Sequence, residues 1–278
     1  DIVDGAVLSD FVDALGQDPK LAVTIIKNNS ARDGAWLDHV DGIFTDKRIR
    51  QAFMMAYPVE DALRAAAGDA RFWQLCPSMM LCGTKWGGFA DASDGLYNAR
   101  AKGGLEKAKQ IVKDAGAAGK TVTVLSPGDL PRYAGPAEIS RQVLAEIGFK
   151  VDFKATDWAT QTNWREKPEL WDVFHTAGGG AWGANPLLNS SISKNTYWNK
   201  YQDESGRMTA GMDKLARATS AEQQLAIVKE MQSVFWEDIP YVSFGDSFNT
   251  AAYRSDTLNS RTQFGLPFNV FNAWREKK

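Results

Sequence analysis

A chain of 278 residues with a formal net charge of −2 can bury a substantial core in one large domain or two ordinary ones. Its Lys and Arg residues are scattered, which excludes the clustered basic footprint of a nucleic-acid or anionic-membrane partner. No apolar run is long enough to cross a bilayer, and the opening DIVDGAVLSDF lacks the basic start and apolar stretch of a signal peptide. The first residue is not Met, so we expect a mature or excised segment.

Ser9 to Leu15 reads as a short helix stopped by Gly16, and Leu21 to Ile26 as a strand. Ala35 to Val40 is a second candidate strand in Asn- and Gly-rich surroundings. Asp46 can cap a helix from Lys47 to Ala56, which Pro58 ends before another begins at Glu60. From Arg71 to Gly104 the periodicity vanishes; Trp73 and Trp86 are expected to pack this long loop onto its own domain. Cys76 and Cys82, in CPSMMLC, leave two readings open. We favour a short-loop disulfide, which would imply an oxidising compartment, over buried free thiols; metal spacing is lacking.

Order returns at Leu105 with a helix closed by Gly116. A strand at Thr121 to Leu125, a helix at Ala137 to Ile147, a strand at Val151 to Ala155, a short helix at Ala159 to Arg165 and a strand at Leu170 to Thr176 then predict right-handed parallel crossovers. Ligands gather beyond the carboxyl ends of such strands, here Ser126 to Asp129, Thr156 to Trp158 and Ala177 to Gly183. The last of these is rich in glycine and carries Trp182, Asn185 and Asn189 in or just after it, an aromatic face and two amides able to orient a guest. Two helices follow, Met208 to Ala218 and one opened by Ser220 with Gln223 three residues on; Pro240 breaks the second before a strand at Tyr241 to Ser247.

Gly178, Gly180 and Gly183 spell the dinucleotide fingerprint, but Asn185-Pro186 follows where an amphipathic helix should open. His175 sits within a strand and reads as packed; His39 has no neighbour that would make a nucleophilic pair. Asp129 and Asp157 read as caps of the following helices in preference to paired catalytic carboxylates. Binding without turnover is the expectation, with no cofactor and no metal. A nucleotide-dependent or hydrolytic enzyme using the rim around Gly178 to Gly183 is the alternative.

Several segments resemble one family in order. FTDKRIRQAFMMAYPVEDAL is similar to an FxDxRVRQAxxYAIDR block, LEKAKQIVKDAG to AKxLLxEAG, and AEISRQVLAEIGFKVDFKATDW to AxxIQxxLxxIGIxVxxxxxDW. DIVDGAVLSDFVDALGQDPKLAV and EMQSVFWEDIPYVSFGDSFNTAAYR resemble its entry into the hinge and its late helix, acidic-Pro turn and hinge strand. The family is that of the family 5 extracellular solute-binding proteins, the peptide and nickel class that serves ABC importers.

The resemblance implies an α/β, periplasmic-binding-protein-like (type II) lobe with a mixed, mainly parallel sheet flanked by helices. It implies that residues 1–20 end a first lobe, 21–247 form the carboxy-terminal ligand-binding lobe, and 248–278 return to the first. Leu21 to Ile26 and Tyr241 to Ser247 would be hinge strands. Family members are nearly twice as long, so a carboxy-terminal fragment is expected. Ligand contacts are expected from Trp182, Ala177, Gly178, Gly179, Gly180, Asn185 and Trp158. Peptide-binding members carry an aspartate in the loop after the third strand; AWGANPLLN offers Ala184, Asn185 and Asn189, which argues against a free amino terminus as the anchor. The implied partners are a peptide-like or other small polar solute and an ABC permease, with the protein a monomer in the periplasm or, alternatively, extracellular and membrane-associated.

Overall fold

The computed structural model describes residues 2–4, 11–87, 93–179, 185–193, 199–255, 257–258 and 274–275. Its strands are β1 (Ile2–Asp4), β2 (Leu21–Leu37), β3 (Trp73–Gln74), β4 (Thr121–Pro127), β5 (Lys150–Thr156), β6 (Val173–Gly179) and β7 (Tyr241–Arg254), with a separate pair at Thr257–Leu258 and Trp274–Arg275. The first seven form one sheet in the order β1-β7-β2-β6-β4-β5, with β3 also on β7. The sheet is mixed, as expected, but it is not mainly parallel. Only β4 with β5 and β4 with β6 run parallel, while the long β2–β7 and β2–β6 pairings are antiparallel. The crossover units impose parallel direction on their own strands alone; β2 and β7 come from outside them.

β2 is one strand where the sequence suggested two. Its middle, KNNSARDG, reads as a polar turn, yet from Ser30 onward it is largely buried because its charges are partnered. Arg32 and Asp33 are adjacent, so their side chains leave opposite faces of the sheet. Arg32 lies opposite Asp246 on β7 with Nη2 2.7 Å from Oδ1, and both side chains are buried. Asp33 lies opposite Gly245 and Ala177. The register slips twice: residues 27–29 have no partner between Ile26 and Ser30, and Phe244 is an extra residue on β7. Gly245 follows that bulge at φ 144°, and a Cβ there would come 2.5 Å from the Gln74 carbonyl; glycine lets β3 dock. β7 continues past residue 247. Leu21–Ile26 pairs with residues 249–254, and residues 241–247 lie deeper against 31–36.

Eight α-helices lie among the described residues: α1 (Val12–Leu15), α2 (Lys47–Ala56), α3 (Val59–Ala67), α4 (Gly104–Asp114), α5 (Pro131–Glu146), α6 (Trp158–Trp164), α7 (Arg207–Arg217) and α8 (Ala221–Asp238), the longest. α5 starts six residues before the sequence suggested. Pro131 suits its first turn, and Pro136 inside it is tolerated with its carbonyl taken by the Tyr57 hydroxyl at 3.0 Å. Gly135 lets the helix approach α3, since a Cβ would sit 3.1 Å from that of Ala65. The core includes a stack of Trp36 on Tyr241, ring centroids 4.7 Å apart, and of Tyr57 on Phe244 at 4.8 Å. Trp86 is buried in it, and Trp73 packs against it while donating to the Gly68 carbonyl, as the loop reading required. Arg50 points into the protein from α2. It is 2% exposed and donates to the carbonyls of Asp238, Phe44 and Thr45.

The Cys76 and Cys82 sulfurs are bridged, with Cα atoms 5.7 Å apart. The bridged loop is fastened from several sides. Arg32 donates to the carbonyls of Cys76, Ser78 and Met80 and to Cys76 Sγ, while Cys82 N–H donates to Asp246. Gln232 on α8 accepts from Met79 N–H and donates to the Pro77 carbonyl.

At the opposite end of β2 from its pairing with Gly179, Asp38 is 1% exposed, and burial pushes its carboxyl up to about 7. Asp172 beside it is raised by burial as well. Neutral Asp38 therefore favours the folded state at low pH, and that contribution disappears as pH rises from the ordinary carboxylate value through 7. Burial depresses His175 to about 3 and His39 well below its usual range, so both contribute with the opposite sign and lose stability as pH falls below 6.5. We expect Asp38→Asn to be more stable than the parent, with an advantage that grows by about 2–3 kcal/mol between pH 5 and pH 8. Urea unfolding at the two pH values checks this; a constant difference would contradict it.

Candidate functional site

β4, β5 and β6 end at one edge of the sheet, and their following turns are tied together. Gly128 N–H donates to the Thr156 carbonyl at 2.8 Å, and Trp158 N–H donates to Asp129 Oδ1 at 2.8 Å. Tyr133, in the first turn of α5, places its ring 5.1 Å from that of Trp158, while its phenol bonds with Thr176 and the Ala177 backbone. The Arg165 guanidinium covers Trp158 at 5.8 Å. The turns after β4 and β5 and the Ala177 end of β6 thus form one rim, with Trp158 half-buried in its wall; residues 180–183 of the third predicted turn lie outside the described residues.

Of the expected contact residues, Ala177 and Gly178 are half-buried at this rim. Gly178 and Gly179 are not loop: they end β6, opposite Arg32 and Ala31. Their carboxyl-end position still faces the mouth, but one backbone edge is spent on β2. A Cβ on Gly178 would meet Ser191 Oγ at 3.4 Å, so the short turn at Ser190–Ile192 abuts it. Asn185 is exposed and its side chain accepts from Leu187 N–H, making a turn of the next residues. Asn189 is buried and occupied, donating to the Met79 carbonyl and accepting from Ser191 N–H, so it is not a free ligand amide. Gly180 and Trp182 lie outside the described residues. Asp157 caps α6 through Thr160, whose backbone N–H holds its carboxyl below the usual range.

Beneath the rim lies a group the sequence reading missed. Arg132 reaches from α5 to Asp33, Nε and Nη2 meeting Oδ1 at 3.1 and 2.9 Å, and Nη2 donates to Ser247 at 2.7 Å. The Ser247 hydroxyl also donates to Asp33. Burial opposes the charge on Arg132, but the Asp33 carboxylate outweighs it and raises the guanidinium above the usual range. The pair cancels in charge and anchors the start of α5, hence Tyr133 and its partner Trp158. Only a register knowledge of β2 could have exposed it, because Asp33 and Arg132 are remote in sequence.

A Ser–His contact also exists: His175 Nε2 is 2.8 Å from Ser140 Oγ, which is 2.8 Å from the Tyr57 hydroxyl. His175 and Ser140 are both 0% exposed, so no substrate carbonyl can reach them, and the packed-histidine reading fits this site. Cavities of about 360 and 420 Å³ lie along α7 and α8, lined by residues such as Gly211, Lys214, Met231 and Ile227, away from the rim residues.

Breaking the Asp33–Arg132 pair strands a desolvated charge. We expect Asp33→Asn to cost about 2–5 kcal/mol, and Arg132→Met in the same chain to restore part of the loss. A double-mutant cycle by urea unfolding measures the coupling; additive effects would contradict it.

Comparison with known proteins gives the same geometry a context. The sequence profile of the bacterial extracellular solute-binding proteins, family 5 middle region, matches residues 4–200. The chain is 26% identical over 268 residues to the probable peptide ABC transporter periplasmic-binding protein y4tO of Sinorhizobium fredii (strain NBRC 101917 / NGR234), covering 93% of this chain and 49% of that one. The fold resembles that of AgaA from A. tumefaciens R10, solved with agropinic acid, at a TM-score of 0.77 and 18% identity over 100% of this chain and 56% of that one. It also resembles DppA from Helicobacter pylori, solved with the peptide STSA, at 0.76 and 18% over 96% and 51%. The chain spans about half the length of the relatives it matches. The chain belongs to the family 5 bacterial extracellular solute-binding proteins, and its sheet and helices have the fold of their periplasmic binding proteins.

Proposed function

We propose that this chain is one lobe of the substrate-binding component of an ABC importer, holding a peptide-like or other small polar solute against the rim and releasing it unaltered to a membrane permease. The observation that carries the reading is the coincidence of two edges. The rim of Gly128, Tyr133, Trp158 and Ala177 lies at the edge where β2 and β7 run on beyond β6 as a paired ribbon of residues 21–26 and 249–254. A second lobe joined through that ribbon would face the rim, and closure on a hinge would cover the solute. A shallow open wall suits one side of a cleft whose other side is a separate body. The relatives' names and ligands, a peptide for one and agropinic acid for another, support small polar solutes as the class.

The contacts we assign are the Trp158 ring, the Ala177–Gly179 edge and the exposed Asn185; Gly180 and Trp182, outside the described residues, are contacts proposed from the sequence alone. Asn185 carries no charge, the Asp33–Arg132 pair is neutral as a unit, and Asp129, Asp157 and Arg165 at the rim are engaged with Trp158 N–H, Thr160 and the Trp158 ring, so this wall favours hydrogen bonding and stacking over an ionic anchor. The protein acts in the periplasm, as a monomer, without catalysing a reaction. The Ser140–His175 pair is sealed from solvent, so this pair offers no base to a solute at the rim.

Solute released from the full-length protein by denaturation and weighed should rebind unchanged, with calorimetry giving full-length protein a much higher affinity than the 278-residue segment. Trp158→Ala in the full-length protein should weaken binding about 10- to 100-fold. Conversion of the solute, equal affinities, or an unaffected Trp158→Ala would contradict the proposal.

A further inference from the structure

The two bridged sulfurs have unlike surroundings. Cys76 is 0% exposed, and its Sγ accepts a hydrogen bond from Arg32 Nη2 at 2.9 Å. Cys82 is half-buried, with Sγ 3.9 Å from the Gly87 carbonyl and no cation on it among the described residues. Arg32 Nη2 directs its hydrogens at Cys76 Sγ and the Met80 carbonyl, so Asp246 Oδ1, 2.7 Å away, receives the charge of the guanidinium without a hydrogen aimed along that line. The other Asp246 oxygen takes the Cys82 N–H and Gln74 Nε2. Among the described residues, Arg32 and Asp246 are the charged groups at the bridge, and Tyr97, whose phenol accepts from Cys76 N–H, is a further titratable neighbour.

We propose that the Cys76–Cys82 bridge is a directional thiol–disulfide exchange site, at which a small anionic sulfur nucleophile attacks Cys82 Sγ and Cys76 departs as a thiolate onto Arg32. The lone pair of the nucleophile forms the new bond to Cys82, and the pair of the broken S–S bond stays on Cys76. No proton, oxidant or metal takes part in this step. A second thiolate then displaces Cys82 from the mixed disulfide, leaving the dithiol and an external disulfide. Access and leaving-group stabilisation select the same sulfur for attack. The loop does not depend on the bridge alone: Arg32 holds the Ser78 and Met80 carbonyls, Gln232 holds Met79 and Pro77, and Asn189 holds the Met79 carbonyl. Exchange therefore proceeds in the folded protein and reverses by return of Cys76. In the bridged state both sulfurs and an Asp246 oxygen lie within 4.8 Å of one another, but a cation binding there after opening would have to displace the Arg32 guanidinium from Cys76 Sγ and Asp246 Oδ1. Exchange is the favoured chemistry.

Sulfite is a suitable probe, because it leaves a stable S-sulfonate on the sulfur it attacks. The folded full-length protein is treated with sulfite and quenched in acid; the freed thiol is then alkylated under denaturing conditions, and both adducts are mapped by peptide fragmentation. We expect the sulfonate on Cys82 and the alkyl group on Cys76, with about a tenfold excess over the reverse pattern. Arg32→Lys, which keeps the charge but loses the fork, should slow the reaction about tenfold with Cys82 still the modified residue. Sulfonate on Cys76, an even distribution, or reaction only after unfolding would overturn the proposal on the parent protein alone. An unchanged rate in a folded Arg32→Lys variant would overturn the role of Arg32.

Discussion

Two adjacent charges in the middle of β2 hold both faces of this sheet. Because neighbouring side chains of a strand point to opposite sides, Arg32 and Asp33 cannot serve the same face. Arg32 fastens the disulfide loop and pairs with Asp246; Asp33 receives Arg132 from α5 and the hydroxyl of Ser247. Asp246 and Ser247 are themselves adjacent on β7. One register of one strand pair therefore sets the loop on one side and the start of α5 on the other. A one-residue slip would exchange the two faces and leave four polar groups unmatched.

The rim inherits its shape from that arrangement. α5 begins where Arg132 is anchored, which puts Tyr133 against Thr176, Ala177 and Trp158. Asn189, held by the disulfide loop, places the turn that abuts Gly178. The wall is thus built by groups that never need to touch a solute, while the surface they present is aromatic, amide and backbone. This division fits the proposed role, in which a guest is held and then released. Very tight ionic anchoring would oppose release.

Much of this was legible in the sequence wherever local chemistry and tertiary structure agree. The β4–α5–β5–α6–β6 units, the convergence of their turns, and the Ser220 and Asp157 caps follow from periodicity and capping rules. The rest fails for physical reasons. KNNSARDG looks like a turn because sequence shows charges without their partners, and Asp246 and Arg132 lie far along the chain. Gly135 and Pro136 look like breakers, but the turn they disturb is supported by α3 and Tyr57. Gly178 and Gly179 look like a loop because nothing in glycine itself announces that β2 lies alongside. The family resemblance supplied the mixed α/β fold flanked by helices; it did not supply the pair of charges beneath the rim.

The most direct measurement is a crystal structure of the full-length protein with its co-purifying solute. The account predicts solute density against Trp158 and the Ala177–Gly179 edge, with Arg132 still on Asp33 and the second lobe closing from the side of the β2–β7 ribbon. Solute bound elsewhere on this lobe, or Arg132 turned away from Asp33 in the closed protein, would contradict it.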